Sequence, residues 1–339
     1  MGEIDRKMKE YFSDRRRYAD LWNGSAFGGR QLIREEELAE AGTVATCNGP
    51  GTGAESIPDA VMKQMLGRQT LAVWVLQDQT VMDYSMPARV MLDEAMRYHS
   101  QVQAIRRKNR GTHGRRDTGK DNRPDPGEYL YGFRAEDRLV PVVTLVVYWG
   151  RKPWDGPVTL HGMMDFQTAS GQQNARHAQL EAGLRELVPD YPVHILDLSA
   201  EGDYSSFQTE LRLLFELYAC RDSREKLKGY LESHEECSHA DIETCRLLGT
   251  MMDIRQLEMI QEKERGKGGA DMCKALMDWS LEERAEGRAE GKAEGKTEGE
   301  ERMACLTKIL LDQHKMSDLD KMLSDTGYRN KLFQEYGLA

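Results

Sequence analysis

Three polar residues stand at the end of the most apolar short run of the sequence. The run extends from Leu71 to Leu76, and it is followed directly by Gln77, Asp78 and Gln79. Its length is too short for a buried helix and is typical of a central strand. Since residues two apart on a strand share a face, the two glutamines are expected on one side of the sheet and Asp78 on the other. Buried carboxamides are costly unless hydrogen-bonded, so the glutamines either cap the strand or belong to a site.

A carboxylate that could reach these glutamines lies in the preceding segment. Asp59 stands before AVMKQML, whose pattern fits either a strand or a helical turn. If this segment pairs with residues 70–79 across Gly67, Asp59 approaches Gln77. If it is a helix instead, Asp59 is the acidic residue that favours its N-terminus after Pro58.

At these residues the chain resembles the recombination-promoting nucleases, the Rpn or YhgA-like transposase family of the PD-(D/E)XK nuclease superfamily. That family has an aspartate on one strand of a hairpin, an apolar strand ending in Glu-x-Gln-Thr, and then a segment similar to IDYAMPVRVML. The matching residues here are Asp59, QDQT at 77–80 and MDYSMPARVML at 82–92. Further similarity lies in YADLWNG at 18–24, FGG at 27–29, LVPVVTLVVYWG at 139–150, KPWDGP at 152–157 and the Glu-Gly repeats near residue 290.

The resemblance implies a metal-dependent DNA endonuclease that promotes recombination or transposition by phosphodiester hydrolysis. Asp59 would be the first metal ligand, Gln77 would stand at the second, and Gln79 would match the glutamine that orients the attacking water. The implied cofactor is Mg²⁺ or Mn²⁺, held through oxygen. Gln77 departs from the family, whose ligand here is a glutamate, and it brings no negative charge. A degenerate member that keeps the fold as a DNA-binding or protein-interaction module is therefore the alternative.

The patterns of the longer segments are those of an α/β protein. Residues 139–149 form a nearly unbroken β-branched and apolar run, and residues 193–198 form a second candidate for a buried strand. Pro87 opens an amphipathic helix directly after the site strand. Alternating strands and helices predict a mixed sheet covered by helices. The resemblance implies the restriction-endonuclease-like PD-(D/E)XK arrangement, here with a helical C-terminal extension.

The N-terminal quarter yields three further expectations. A first core helix is expected to begin after an N-cap at Ser13 or Asp14 and to stop at the Asn-Gly pair at 23–24. Residues 35–40 predict another short helix. The small and glycine-rich residues from 42 to 56 predict a loop.

The sequence divides into four predicted parts, which are a nuclease-like core at 1–200, a helical region at 201–282, a Glu-Gly repeat at 283–300 and terminal helices at 301–339. Inside the core, residues 106–127 predict a flexible basic loop, because eight Lys or Arg stand against two Asp between 106 and 123. The loop either contacts phosphate or is a solvated insertion. The candidate DNA-binding residues are Arg89, Arg106, Arg107, Arg115 and Arg116.

The Glu-Gly repeat reads RAEG, RAEG, KAEG and KTEG from residue 284 onward. A four-residue period turns each stripe by about 40° per repeat on a helix, so like residues stack near like residues. Each helix-interior glycine costs about 1 kcal/mol, which predicts a marginal helix. The repeat is either a tether, which we favour, or a glycine stripe that a partner helix approaches. The terminal helices are a candidate surface for homo-oligomer formation.

Composition limits the remaining function classes. The net charge of −10 gives no global attraction to nucleic acid, so DNA contact requires local basic patches. No apolar stretch has the length of a membrane span, and the six scattered cysteines predict a reducing cytoplasm rather than a disulfide framework. Four residues lie close enough in sequence to suggest a zinc site, namely His234, Cys237, His239 and Cys245. Their spacing matches no closed finger pattern, so we interpret them as ordinary helix residues.

Overall fold

The computed structural model of the protein describes residues 3–43, 45–49, 52–56, 58–112, 126–166, 175–199, 201–234, 237, 240–258 and 272–338. The chain forms two compact units, Met1–Cys273 and Lys274–Ala339. This division differs from the four predicted parts, because most of the helical region after residue 200 belongs to the first unit.

The described elements are seven strands and twelve helices, numbered here in chain order. The strands are β1 Leu38–Glu40, β2 Ala45–Gly49, β3 Thr52–Ser56, β4 Ala60–Leu66, β5 Gln69–Gln79, β6 Val142–Tyr148 and β7 His194–Asp197. The helices are α1 Glu3–Tyr11, α2 Arg15–Phe27, α3 Met86–Thr112, α4 Pro126–Tyr131, α5 Leu160–Met163, α6 Ala175–Leu187, α7 Leu211–Ala219, α8 Arg224–Ser233, α9 Ile242–Met252, α10 Met272–Asp312, α11 Met316–Ser324 and α12 Thr326–Glu335.

A five-stranded mixed sheet in the order β1-β4-β5-β6-β7 forms the centre of the first unit. The β1–β4 and β4–β5 pairs are antiparallel, whereas β5–β6 and β6–β7 are parallel. Gly67 adopts φ +60° in the tight turn between β4 and β5, a conformation that glycine adopts without a Cβ penalty. The segment after Asp59 is therefore a strand and not a helical turn. The mixed α/β sheet predicted from the sequence is confirmed.

Helices cover both faces of this sheet. On one face, α3 contributes Met86 and Val90 to an apolar cluster with Val146 of β6. On the other face, Trp74 of β5 packs against Trp22 of α2, with ring centroids 4.7 Å apart. Such double-sided burial explains why β5 and β6 read as continuous apolar runs.

Two N-terminal expectations were wrong in their details. Residues 35–40 form a 3₁₀ turn at Glu35–Glu37 and then β1, because Leu38 pairs with Gln64 of β4. The expected loop at 42–56 contains the β2–β3 hairpin. Both segments gain backbone partners that local composition does not encode.

Helix α2 continues past the Asn-Gly pair at which it was expected to stop. It ends at Phe27, with Gly28 as the left-handed C-cap. The buried Asn23 side chain instead accepts hydrogen bonds from the backbone nitrogens of Leu32 and Ile33. Asn23 thus fixes the following loop rather than ending the helix.

The helices after residue 200 pack into the first unit. Asp20 of α2 accepts hydrogen bonds from the backbone nitrogens of Gln208 and Thr209, just before α7. Arg17 forms a 2.8 Å ion pair with Asp241, the N-cap residue of α9. These contacts hold the segments that begin α7 and α9 against α2.

Residues 106–112 of the predicted basic loop belong to α3. Because α3 continues to Thr112, Arg106 and Arg107 are helical. Arg115 and Arg116 lie outside the described residues, and α4 begins at Pro126.

In the second unit, α10 is one helix of 41 residues that includes the whole Glu-Gly repeat. The repeat is therefore helical, and its role, whether as a tether or as a glycine stripe that a partner helix approaches, stays a prediction. A Cβ built at Gly291, Gly295 or Gly299 meets nothing within 4 Å. Beyond the repeat, α10 packs with α11 and α12 around Leu306, Leu310, Met322 and Leu332. Among the described residues, no helix is both long enough and apolar enough to cross a membrane.

Candidate functional site

Asp59 lies directly before β4 and is bound to the end of β5. Its backbone nitrogen donates to the carbonyl oxygen of Leu76 at 3.0 Å. Its Oδ2 accepts a hydrogen bond of 2.7 Å from the backbone nitrogen of Asp78. The hairpin therefore brings Asp59 to the strand end where the polar residues stand, as the sequence predicts for a pairing across Gly67.

Gln77 and Asp78 follow the alternation of the strand. Gln77 pairs with Val146, which belongs to the apolar cluster beneath α3. Its side chain is 2% exposed, and its Oε1 has no hydrogen-bond partner among the described residues. A buried carbonyl oxygen without a donor is costly, so it is available to a ligand that brings one.

Asp78 has its own partner at the end of β6. Trp149 donates from Nε1 to Asp78 Oδ1 at 2.9 Å, while Asp78 Oδ2 is buried without a partner in the part of the chain described. Gln79 is the last residue of β5, half-buried, and its carbonyl oxygen accepts from the backbone nitrogen of Trp149. The structure thus brings Asp59, Gln77 and Gln79 to one end of the sheet and adds Asp78, which the resemblance leaves out of the ligand set.

Burial disfavours the charged form of both carboxyl groups. Burial raises the pKa of Asp78 well above its usual range, the nearby Asp59 raises it further, and the Trp149 hydrogen bond opposes both. Burial also raises the pKa of Asp59, although the hydrogen bond from the Asp78 nitrogen lowers it. Asp5 of α1 adds to the rise in pKa at both carboxyls. Such a pair gains from a cation, which removes the cost of two adjacent buried charges.

An acidic cleft of about 480 Å³ opens beside this strand end. Thr80, the residue after Gln79, lines it together with residues of α1 and of the segment around α9, namely Glu3, Ile4, Asp5, Thr250, Asp253 and Glu258. Two of these lining residues, Glu3 and Glu258, form ion pairs of 3.1 Å with the Lys7 ammonium group. The sequence does not predict this acidic group, because Glu3 and Asp5 stand more than 240 positions from Asp253 and Glu258, and the two parts share no motif.

The implied Mg²⁺ or Mn²⁺ requires oxygen ligands from the protein. Within the described ranges, no group of three or more His, Cys, Asp or Glu side chains is arranged to hold a metal ion. The available oxygens are those of Asp59 and Asp78, together with the unpartnered Oε1 of Gln77. Two carboxylates and one carboxamide are hard oxygen donors of the type that Mg²⁺ and Mn²⁺ accept alongside water. The chemistry of these oxygens therefore suits the ion, while strand alternation places the Gln77 side chain on the opposite face of β5 from that of Asp78.

The predicted DNA-binding arginines that the structure describes, Arg89, Arg106 and Arg107, lie at two places on α3. Arg89 forms a 3.3 Å ion pair with Asp83 in the first turn, and its charge lowers the pKa of Asp59. Arg106 and Arg107 lie about 26 Å further along the helix, at 1.5 Å per residue. Among the described arginines of this set, Arg89 is the one whose charge acts on the pKa of Asp59.

Three of the four residues considered for zinc, His234, Cys237 and Cys245, belong to the part of the chain that the structure describes. His234 stacks on Tyr230, with ring centroids 3.9 Å apart, and Cys245 is buried in α9. Cys237 is buried, and His239 lies outside the described residues.

Three comparisons with known proteins, against family models, curated proteins and solved structures, found no match.

Proposed function

We propose that this chain is a metal-dependent DNA endonuclease with a PD-(D/E)XK-type core, similar to the recombination-promoting nucleases. The observation that carries the proposal is the pair of Asp59 and Asp78 carboxyls at the end of a hairpin strand, next in sequence to Gln77, whose buried Oε1 has no partner among the described residues. The mixed sheet covered by helices on both faces supports it. DNA as substrate agrees with the cytoplasmic location that the scattered cysteines predict.

Each residue has a separate role in this proposal. Asp59 and Asp78 would hold Mg²⁺ or Mn²⁺ by their carboxylates, and the Gln77 carboxamide would offer a neutral oxygen. Asp78 thereby takes the second acidic position, where the family has a glutamate at the place of Gln77. When bound, the ion polarises the phosphate and stabilises the charge that develops during displacement. Gln79 orients the attacking water by its carboxamide.

The second candidate is a degenerate nuclease fold that binds DNA or a protein without cleaving it. The observation that favours it is Gln77 itself, which is 2% exposed and uncharged. A site with one carboxylate fewer binds a hard cation more weakly. The two candidates differ in whether restoring the charge restores cleavage.

Plasmid nicking in Mg²⁺ or Mn²⁺ tests the proposal with four proteins: the natural chain, Gln77→Glu, Asp59→Ala and Asp203→Ala. Asp203 is the matched control, because it is an exposed aspartate whose hydrogen bond to Ser205 is local. We expect weak cleavage by the natural chain, more by Gln77→Glu, none by Asp59→Ala and no change for Asp203→Ala. Cleavage that survives Asp59→Ala contradicts the site, and no cleavage even by Gln77→Glu favours the binding module.

A further inference from the structure

A second surface of the first unit combines basic and aromatic side chains. The last turns of α3 carry RRKNR at residues 106–110, four cations in five positions on a chain with a net charge of −10. The adjacent α4 exposes Tyr129 (71%), Leu130 (68%) and Tyr131 (63%). Exposed tyrosines beside clustered cations are the two components of surfaces that bind single-stranded nucleic acid.

The two components are held together by a buried polar contact. Asn109 is 6% exposed, and its Nδ2 donates to the carbonyl oxygen of Gly132 at 3.1 Å and to Asp137 Oδ2 at 2.7 Å. Asp137 Oδ2 also accepts from the backbone nitrogen of Arg134 at 2.7 Å. Gly132 adopts φ +66°, and a Cβ there would lie 3.5 Å from the Arg106 side chain. The segment that carries the tyrosines is therefore fixed against the basic end of α3.

We propose that this surface binds unpaired nucleotides, with bases stacked on Tyr129 and Tyr131 and phosphates paired with Arg107 and Arg110. The proposal deepens the proposed function and rests on its DNA substrate, since it adds a preference for single-stranded regions. The surface lies about 26 Å along α3 from Arg89, so it acts as a holding site separate from the carboxyl pair.

The charges alone have another explanation, because cations near a helix C-terminus are stabilised by the helix dipole. That explanation does not account for the large exposed fraction of two tyrosine side chains on the adjacent α4. An anionic membrane is the other partner that basic and aromatic residues fit. The apolar part of this surface is one leucine between two tyrosines on a six-residue helix, which is small for insertion into lipid.

Fluorescence anisotropy of a labelled single-stranded oligonucleotide tests the proposal, without divalent metal and on an Asp59→Ala background so that no cleavage intervenes. We expect Tyr129→Ala with Tyr131→Ala to weaken binding at least about tenfold, and the matching Phe variants to retain it, because stacking requires the ring. Arg107→Gln with Arg110→Gln should flatten the salt dependence, whereas Lys308→Gln on α10 is the control for loss of one exposed charge.

Three results would overturn the proposal: no binding of the single strand, equal binding after the Tyr→Ala changes, or binding of phosphatidylserine vesicles with no binding of the oligonucleotide. The outcomes for the two proposals are distinct. Single-strand binding that depends on the tyrosines, without any nicking by the natural chain or Gln77→Glu, overturns the nuclease alone. Nicking that persists while the Tyr→Ala changes leave single-strand binding unaltered overturns the holding site alone.

Discussion

The Asp59 carboxylate accepts a 2.7 Å hydrogen bond from the backbone nitrogen of Asp78, so the two acidic residues meet at the end of β5. Burial raises the pKa of both carboxyls, and the nearby Asp59 raises that of Asp78 further. The folded chain therefore binds protons more tightly than the unfolded chain, and the stabilisation from protonation is fully present below the ordinary aspartate pKa of about 3.9. It is lost as the pH rises through the raised values.

The first prediction concerns this pH dependence. Without metal, Asp78→Asn should raise the melting temperature at pH 7 and flatten its fall between the ordinary aspartate pKa and neutral pH, because the amide cannot ionise. Thermal unfolding followed by circular dichroism from pH 4 to pH 8 measures it. Asp203→Asn, at an exposed aspartate whose pKa is lowered by its hydrogen bonds to Ser205, is the control of opposite sign. A steeper fall for Asp78→Asn would contradict the pair.

The second prediction concerns the metal. With Gln77 neutral, we expect the natural chain to be more active with Mn²⁺ than with Mg²⁺, which keeps its water ligands more tightly. Gln77→Glu adds a negative charge and should reduce that preference while raising metal affinity. The thermal shift on adding each ion gives the affinity, and nicking gives the activity. An unchanged ratio of the two ions would show that residue 77 is not a ligand.

The third prediction concerns the contact between α2 and the segment before α7. A Cβ at Gly24 would lie 2.4 Å from the Phe207 ring, so Gly24→Ala should destabilise the protein by about 1–3 kcal/mol through overpacking. Gly183→Ala on α6, where nothing lies within 4 Å, should instead stabilise it by about 0.5–1 kcal/mol. Denaturant unfolding measures both. Phe207→Leu should relieve part of the Gly24→Ala effect, and a lack of any relief would count against the contact.

The sequence predicts β5 and its pairing, but it predicts less of the contacts that the neighbouring segments make. The apolar runs and the turn at Gly67 predict the strands and their pairing, because burial on both faces leaves a local pattern. The contact between Asp59 and Asp78 is not predicted. Strand alternation places the Asp78 side chain on the opposite face from Gln77, but the Asp59 side chain, directly before β4, reaches the backbone nitrogen of Asp78. Asn23 reads as a helix stop by composition, yet its side chain finds better partners in the next loop.

The fourth prediction concerns Asp20, whose carboxylate caps the segment that leads into α7. It accepts from the nitrogens of Gln208 and Thr209 and from the Thr209 hydroxyl at 2.6 Å, and it is 3% exposed. Asp20→Asn keeps the size of the side chain but replaces a charged acceptor, so we expect a loss of about 2–3 kcal/mol of unfolding free energy. Urea unfolding measures it. The same change at the exposed Asp14 cap should cost about 1 kcal/mol or less. Equal losses at both positions would contradict a special role for Asp20.

The fifth prediction concerns the Glu-Gly repeat, which local propensity makes marginal and the structure makes helical. Gly291, Gly295 and Gly299 lie inside α10, where a Cβ meets nothing within 4 Å, so alanine fits without strain. Each Gly→Ala change should stabilise the helix by about 1 kcal/mol, which slows local amide hydrogen exchange about fivefold per position. Exchange read by mass spectrometry on the full chain measures it. Gly337→Ala is the control: its φ of +65° disfavours alanine, so exchange at the end of the chain should become faster. Unprotected exchange of the repeat in both the natural chain and the triple alanine variant would mean that the segment is not helical in solution.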